Sequence, residues 1–165
     1  MIIILMGVAG SGKTTIGSEL ANQLGWPFYE GDDFHPADNV ARMRSGVPLT
    51  DADRKPWLEA LGNLIASLVA RKISAVVACS ALKSAYRDQL RKTAGAHARQ
   101  VRFVYLRISS SMAEQRLQKR KGHFMQAAMV RSQFEALEEP GDAIVIDATL
   151  SPGDLLTQIR QALEL

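Results

Sequence analysis

The sequence predicts an α/β domain, a parallel sheet with helices on both faces, and three observations predict it. Short apolar runs alternate along the whole chain with stretches of helical periodicity. Three of those runs, at 2–6, 75–79 and 143–146, are continuously apolar, as expected of strands covered on both faces. A glycine-rich turn joins the first run to the first helical stretch, the order strand, loop, helix.

Taken in order, strands are expected at 2–6, 27–30, 75–79, 101–108 and 143–146. The first helix starts within the glycine loop and runs to about Leu24, with Gly25 as its C-cap. A second begins near Thr50, whose hydroxyl can cap it, with Asp51 and Asp53 favourable in its first turn. Trp57, Leu61, Leu64, Ile65 and Leu68 recur on it at three- and four-residue spacing, so one face is core. Pro56 lies near its start and leaves two outcomes open, a kink or a later beginning. Further helices are expected at 84–92, 111–120, 126–137 and 152–163. All 165 residues are expected to form one domain around one core.

Composition narrows the function classes. The hydrophobic share is 47% and the charged share 22%, ordinary values for a globular protein. No apolar run is long enough to span a bilayer, and MIIILMGVAG lacks the basic start of a signal peptide. With the single cysteine Cys79 unable to form an internal disulfide, a cytoplasmic protein without a membrane partner is expected. The net charge of +3 is spread along the chain without a block of like charges. Aromatics are few and do not interleave with the basic residues, so no nucleic-acid partner is expected. A modest cationic surplus suits small anionic substrates equally well.

Gly7-Val8-Ala9-Gly10-Ser11-Gly12-Lys13-Thr14 matches G-x-x-x-x-G-K-[ST] in full. Its glycines let the backbone curl so that successive N–H groups face phosphate oxygens, and the helix N-terminus adds partial positive charge. Lys13 is expected on the β- and γ-phosphates of ATP and the Thr14 hydroxyl on Mg²⁺. A merely structural turn would not require lysine followed by threonine.

The second strand ends in Gly31-Asp32-Asp33-Phe34-His35-Pro36, beyond a strand C-terminus, where α/β sheets bind ligands. Asp32 is expected to receive the proton of an attacking hydroxyl or to hold a water on Mg²⁺. Asp33 reads equally as part of a polar turn, with Asp33 or Asp38 capping the next helix. Ala143-Ile144-Val145-Ile146-Asp147 resembles an apolar strand ending in a metal-side acid, but it lies on the last strand. The strand beside the phosphate loop is expected to be the third, ending in Ser80. Ser80 reads as a contact to the metal's hydration shell or as a helix cap. Arg116, Lys119, Arg120, Lys121 and His123 gather around Gly122, as a lid over the phosphates or as a solvated basic helix.

Taken together, LMGVAGSGKT (5–14), GDDFHPADNVARMRSGVPLTDADRKPWL (31–58), CSALKSAYRDQLR (79–91) and RKGHFMQAAMVRSQFEALEEP (120–140) resemble the gluconokinases, small kinases related to shikimate and adenylate kinases. The resemblance implies a three-layer P-loop NTPase sandwich with strand order 2-3-1-4-5 and a helical lid at about 116–135. It implies ATP and Mg²⁺ held by Gly7, Val8, Ala9, Gly10, Ser11, Gly12, Lys13 and Thr14, with Arg116 on the nucleotide and Ser80 near the metal. Lys13, Asp32 and Arg120 would be catalytic. Asp32, His35, Arg54, Lys83, Arg87 and His123 would meet D-gluconate, and a homodimer is implied. On the residues alone, Arg54 also reads as an ion pair with Asp51 or Asp53, Arg87 as a helix-surface cation and Lys83 as the end of a strand. Trp57 reads as core rather than as a stacking platform. Phosphorylation of another hydroxy acid such as shikimate, ATP sensing without transfer, and polynucleotide binding are the rival functions.

Overall fold

The computed structural model describes residues 1–119 and 127–165. Strands β1 (Ile2–Met6), β2 (Phe28–Glu30), β3 (Ala75–Ala78), β4 (Val101–Arg107) and β5 (Ile144–Asp147) form one parallel sheet in the order β2-β3-β1-β4-β5. The strand order is the predicted one. Between the strands run helices α1 (Lys13–Leu24), α2 (Ala37–Arg44), α3 (Asp51–Ala70), α4 (Ser84–Lys92), α5 (Ser110–Gln118), α6 (Ala127–Ala136) and α7 (Pro152–Leu163). Among the described residues no helix is long and apolar enough to cross a membrane.

The period-two alternation of β1 divides its side chains between two core layers. Ile3 and Leu5 pack with Ile16 and Leu20 of α1 and with Leu155 and Ile159 of α7. Ile2, Ile4 and Met6 pack on the other face with Trp57, Leu61 and Ile65 of α3 and with Tyr86 and Leu90 of α4. Burying each such aliphatic side chain is worth about 1.5–3 kcal/mol. The registers set Glu30 level with Ala78, and Ala78 level with Leu5. The chain therefore leaves β2, β3 and β1 at the same end of the sheet, beyond the strands' C-termini, and the site is built there.

Several expectations need correction. β5 is continuously apolar in sequence but lies at the sheet's edge, where Val145 is exposed. An apolar run records hydrophobicity, not how many neighbours a strand has. Asp147 accepts from the backbone N–H and hydroxyl of Thr149, at 2.9 and 2.8 Å, and closes a local turn; β4 separates its strand from β1. Neither Asp33 nor Asp38 caps α2, whose N-cap is Pro36. Ser80 does not cap α4, since Lys83 holds that position and the Ser84 N–H donates to the Glu138 carboxylate at 2.7 Å. Pro56 does not delay α3, which begins at Asp51 behind a complete capping box. Two further elements carried no clear periodicity, the short helix α2 and a 3₁₀ segment at Gly95–Gln100.

Candidate active site

The phosphate loop follows directly from β1. Gly7, Gly10 and Gly12 have φ of 145°, 81° and 98°, in a region that side chains avoid. A Cβ on Gly10 would also stand 2.8 Å from the Ala113 carbonyl oxygen, so α5 closes against the loop only because residue 10 is bare. The loop feeds α1, whose N-terminus has no side-chain cap and no acid in its first turn. Its N–H groups thus have no local carboxylate to meet, which fits an incoming anion.

The side chains of the loop complete this donor set. The Lys13 ammonium donates to the Val8 carbonyl at 3.0 Å. The Thr14 hydroxyl donates to the Glu30 carboxylate at 2.6 Å. Ser11 is fully buried, and its hydroxyl has no hydrogen-bond partner among the described residues. Arg116 lies against the loop, donating to the Ala148 carbonyl at 2.6 Å and more distantly to the Gly10 and Ser11 carbonyls at 3.5 Å. The Ala9 N–H donates to the carboxamide oxygen of Gln133 on α6 at 2.7 Å. An ammonium, a hydroxyl backed by a carboxylate and an uncapped helix end suit a magnesium-bound triphosphate. Among the described residues no group of three or more His, Cys, Asp or Glu could hold a metal ion.

The acceptor side begins at Gly31, where a 3₁₀ turn, Gly31–Phe34, follows β2. A Cβ on Gly31 would lie 2.4 Å from the Ala78 carbonyl oxygen, so only glycine lets this turn seat on β3. Trp57 is buried, as its apolar spacing predicts, yet its indole N–H donates to the Gly31 carbonyl at 2.8 Å. The same indole stacks on His35 with ring centroids 4.5 Å apart and planes 9° from parallel. One core residue thereby fixes both ends of the turn that carries Asp32, whose side chain is exposed. Burial pushes the His35 imidazole below its ordinary pKa, while Asp32 acts in the opposite sense and Arg54 adds to the lowering.

Around this turn lies a charged cluster. Lys83 donates to both carboxylate oxygens of Asp51, at 2.8 and 2.9 Å, and the Tyr86 hydroxyl donates to the same carboxylate. These bonds, Lys83's first, hold the Asp51 carboxyl below its ordinary pKa, and Asp51 in turn raises that of Lys83. Asp53 is engaged by Thr50 and by Arg42, the latter at 3.3 Å. Arg54 accordingly pairs with neither neighbouring acid. It donates to the Leu49 carbonyl at 2.7 Å and stands 6.0 Å from the Tyr86 ring centroid. Arg87 is not a surface cation but is buried, donating to the Ala81 and Leu82 carbonyls at 3.0 Å each. It secures the loop that presents Lys83.

The structure therefore brings Asp32, His35, Arg54 and Lys83 to one end of the sheet, with Arg87 buried against the loop that carries Lys83. Ser80 lies in the same loop, its carbonyl accepting from the Gly7 N–H at 3.3 Å. Arg120 and His123 lie outside the described residues, as does part of the expected lid; α5 ends at Gln118. Sequence reasoning missed Glu30, though a carboxylate at the end of β2, beside the phosphate strand's neighbour, was a readable signal. It also missed Gln133, for which no local signal exists.

A parallel sheet whose central strand runs into this loop, with an acid-bearing turn on the strand two places away, defines a P-loop kinase. The sequence model of the AAA domain family matches residues 2–140. The chain is 45% identical over 163 residues to a thermosensitive gluconokinase of Escherichia coli (strain K12), covering 96% of this chain and 85% of that enzyme. It is 46% identical over 140 residues to a gluconokinase of Gluconobacter oxydans (strain 621H), covering 85% and 76% respectively. The crystal structure of a gluconokinase from Sinorhizobium meliloti 1021 superposes with a TM-score of 0.88 at 39% identity, over 98% of this chain and 90% of that one. The chain belongs to the gluconokinase family.

Proposed function

We propose that this chain transfers the γ-phosphoryl group of ATP to the C6 hydroxyl of D-gluconate, releasing ADP and 6-phosphogluconate, in the cytoplasm. The observation that carries the reading is the 2.6 Å bond from Thr14 to Glu30, because it sets the β2 acids against the phosphate loop. Glu30 stands two residues before Asp32, so a phosphoryl donor on one side and an acceptor hydroxyl on the other would meet across that contact.

Each residue has a distinct task in this reading. The N–H groups at the start of α1 and the Lys13 ammonium bind the phosphates and stabilise charge as the γ-phosphoryl moves. Thr14 would hold Mg²⁺, Glu30, hydrogen-bonded to it, would take a water of that ion, and Asp32 and Ser80 would be the further candidates for its hydration shell. The ion, when bound, neutralises charge on the β- and γ-oxygens. Asp32, exposed on a turn fixed by Trp57, orients the acceptor hydroxyl and receives its proton. Lys83, Tyr86 and Arg54 bind the acceptor's carboxylate. Asp51 supports this assignment, since its own carboxylate already engages two of those three donors.

A coupled ADP-release assay across D-gluconate, shikimate and nucleoside monophosphates tests the proposal. ADP released with D-gluconate, and at most a trace with the others, is the expected result. Saturable ATP binding without ADP release on any acceptor would leave a nucleotide sensor instead.

A further inference from the structure

The peptide group between Val8 and Ala9 is held at both of its polar ends. Its carbonyl accepts from the Lys13 ammonium at 3.0 Å and from the Ser11 N–H at 3.3 Å. Its N–H donates at 2.7 Å to Gln133, 124 residues further along the chain. The described chain has no cis peptide bond, so the C=O and N–H of this unit point oppositely within one rigid plane. Rotating that plane to release one partner releases the other. The acceptor at Ala9 must be the carboxamide oxygen, because a backbone N–H leaves no choice of amide orientation.

Gln133 is delivered by an anchored element. On α6, Val130 is buried in the core layer shared with α1 and β1, and Met129 is also buried. Just past the helix, the Glu138 N–H donates to the Leu82 carbonyl at 2.9 Å and its carboxylate accepts from the Ser84 N–H at 2.7 Å. The segment from Gln133 to Glu138 thus touches the phosphate loop at one end and the Lys83 loop at the other.

We propose that Gln133 is a positioning residue for phosphoryl transfer, acting on Lys13 through the Val8–Ala9 peptide. The inference rests on the reading that the phosphate loop binds ATP. A lysine side chain carries four rotatable bonds and gives up much rotamer freedom when fixed. A carbonyl held in one direction gives its ammonium a defined place, and donation from the same peptide's N–H strengthens that carbonyl as an acceptor. Without Gln133 the Ala9 N–H loses its partner and the plane is held at its carbonyl end alone, which loosens the Lys13 anchor.

The test is a double-mutant cycle read by calorimetric binding of Mg·ATP, with hydrogen exchange of the peptide containing Ala9. Gln133→Met keeps length and volume but removes the carboxamide. It should weaken ATP binding about tenfold in the wild-type background and add little in a Lys13→Met background. Exchange at Ala9 should accelerate. Gln133→Glu retains an oxygen acceptor and should keep Ala9 protected, which maintains the test if Gln133→Met folds poorly. Wild-type ATP affinity in Gln133→Met, an equal loss in both backgrounds, or Ala9 exchange in Gln133→Glu as fast as in an unfolded chain would overturn the inference. Equal ATP binding by wild type and Lys13→Met would instead overturn the nucleotide-site reading beneath it.

Discussion

The N-termini of α1 and α3 meet the same chemical demand in opposite ways. Every helix start leaves N–H groups without intrahelical partners. At α3 the chain supplies its own partners: the Thr50 hydroxyl accepts from the Asp53 N–H at 3.2 Å, and the Asp53 carboxylate accepts from the Thr50 N–H at 2.8 Å. Asp51 and Asp53 add negative charge in the first turn. At α1 the N-cap is Gly12, no side chain caps the helix, and no acid occupies its first turn. A helix end that satisfies itself contributes stability, whereas one left without local acceptors is disposed to bind an anion. The two ends should therefore respond to mutation along different axes, α1 through catalysis and α3 through stability.

The largest expected effect breaks the α1 end. Lys13→Met should lower kcat by about 100- to 1,000-fold, the range for losing one preorganised donor to a developing charge. The thermal midpoint should barely move, and steady-state kinetics beside a melting curve checks both. A large loss of stability with activity retained would invert the comparison. Asp32→Asn comes next, since it probes the acceptor side while leaving the phosphate loop intact. Turnover should fall about 100-fold, the lower part of the acid–base range, because phosphoryl transfer through a loose transition state asks little of a base. ATP affinity, measured by calorimetry, should remain within about twofold. Turnover like that of the wild type would remove Asp32 from the mechanism.

How much of this was legible depends on how far apart the partners are in sequence. The phosphate loop is eight consecutive residues, so its chemistry and spacing appear in one glance. The bounds of α4 and α7 match their expectation because helical periodicity and, for α7, Ser151 followed by Pro152 mark the ends. The Thr50 cap was readable for the same local reason. By contrast, the Lys83–Asp51 pair joins residues 32 apart, and Gln133 meets Ala9 across 124 residues. Such pairings exist only after the sheet has brought its strand ends together. The edge position of β5 is equally non-local, for it depends on strand order and not on the run Ile144–Asp147 itself. Arg54 shows the converse error that spacing invites: two acids stand within three residues of it, yet both are engaged elsewhere.

The smallest expected effect sharpens the comparison at α3. Thr50→Ala removes the capping hydroxyl and should cost about 1 kcal/mol, a fall of about 2–4 °C in thermal midpoint for a domain of this size. Asp53→Asn tests the other half of the box through pH. The Thr50 N–H, followed by the Thr50 hydroxyl, holds the Asp53 carboxyl below its ordinary 3.8, with Arg42 acting in the same sense. A carboxyl depressed in the folded state contributes stability that is fully present above its unfolded pKa and is lost as pH falls through the folded value. The melting gap between wild type and Asp53→Asn should therefore persist at neutral pH and close below pH 3.8, as Asp53 takes up its proton. Asp51 remains in both proteins and cancels from the difference. A gap unchanged down to acid pH would mean that Asp53 acts at this helix end by shape rather than by charge.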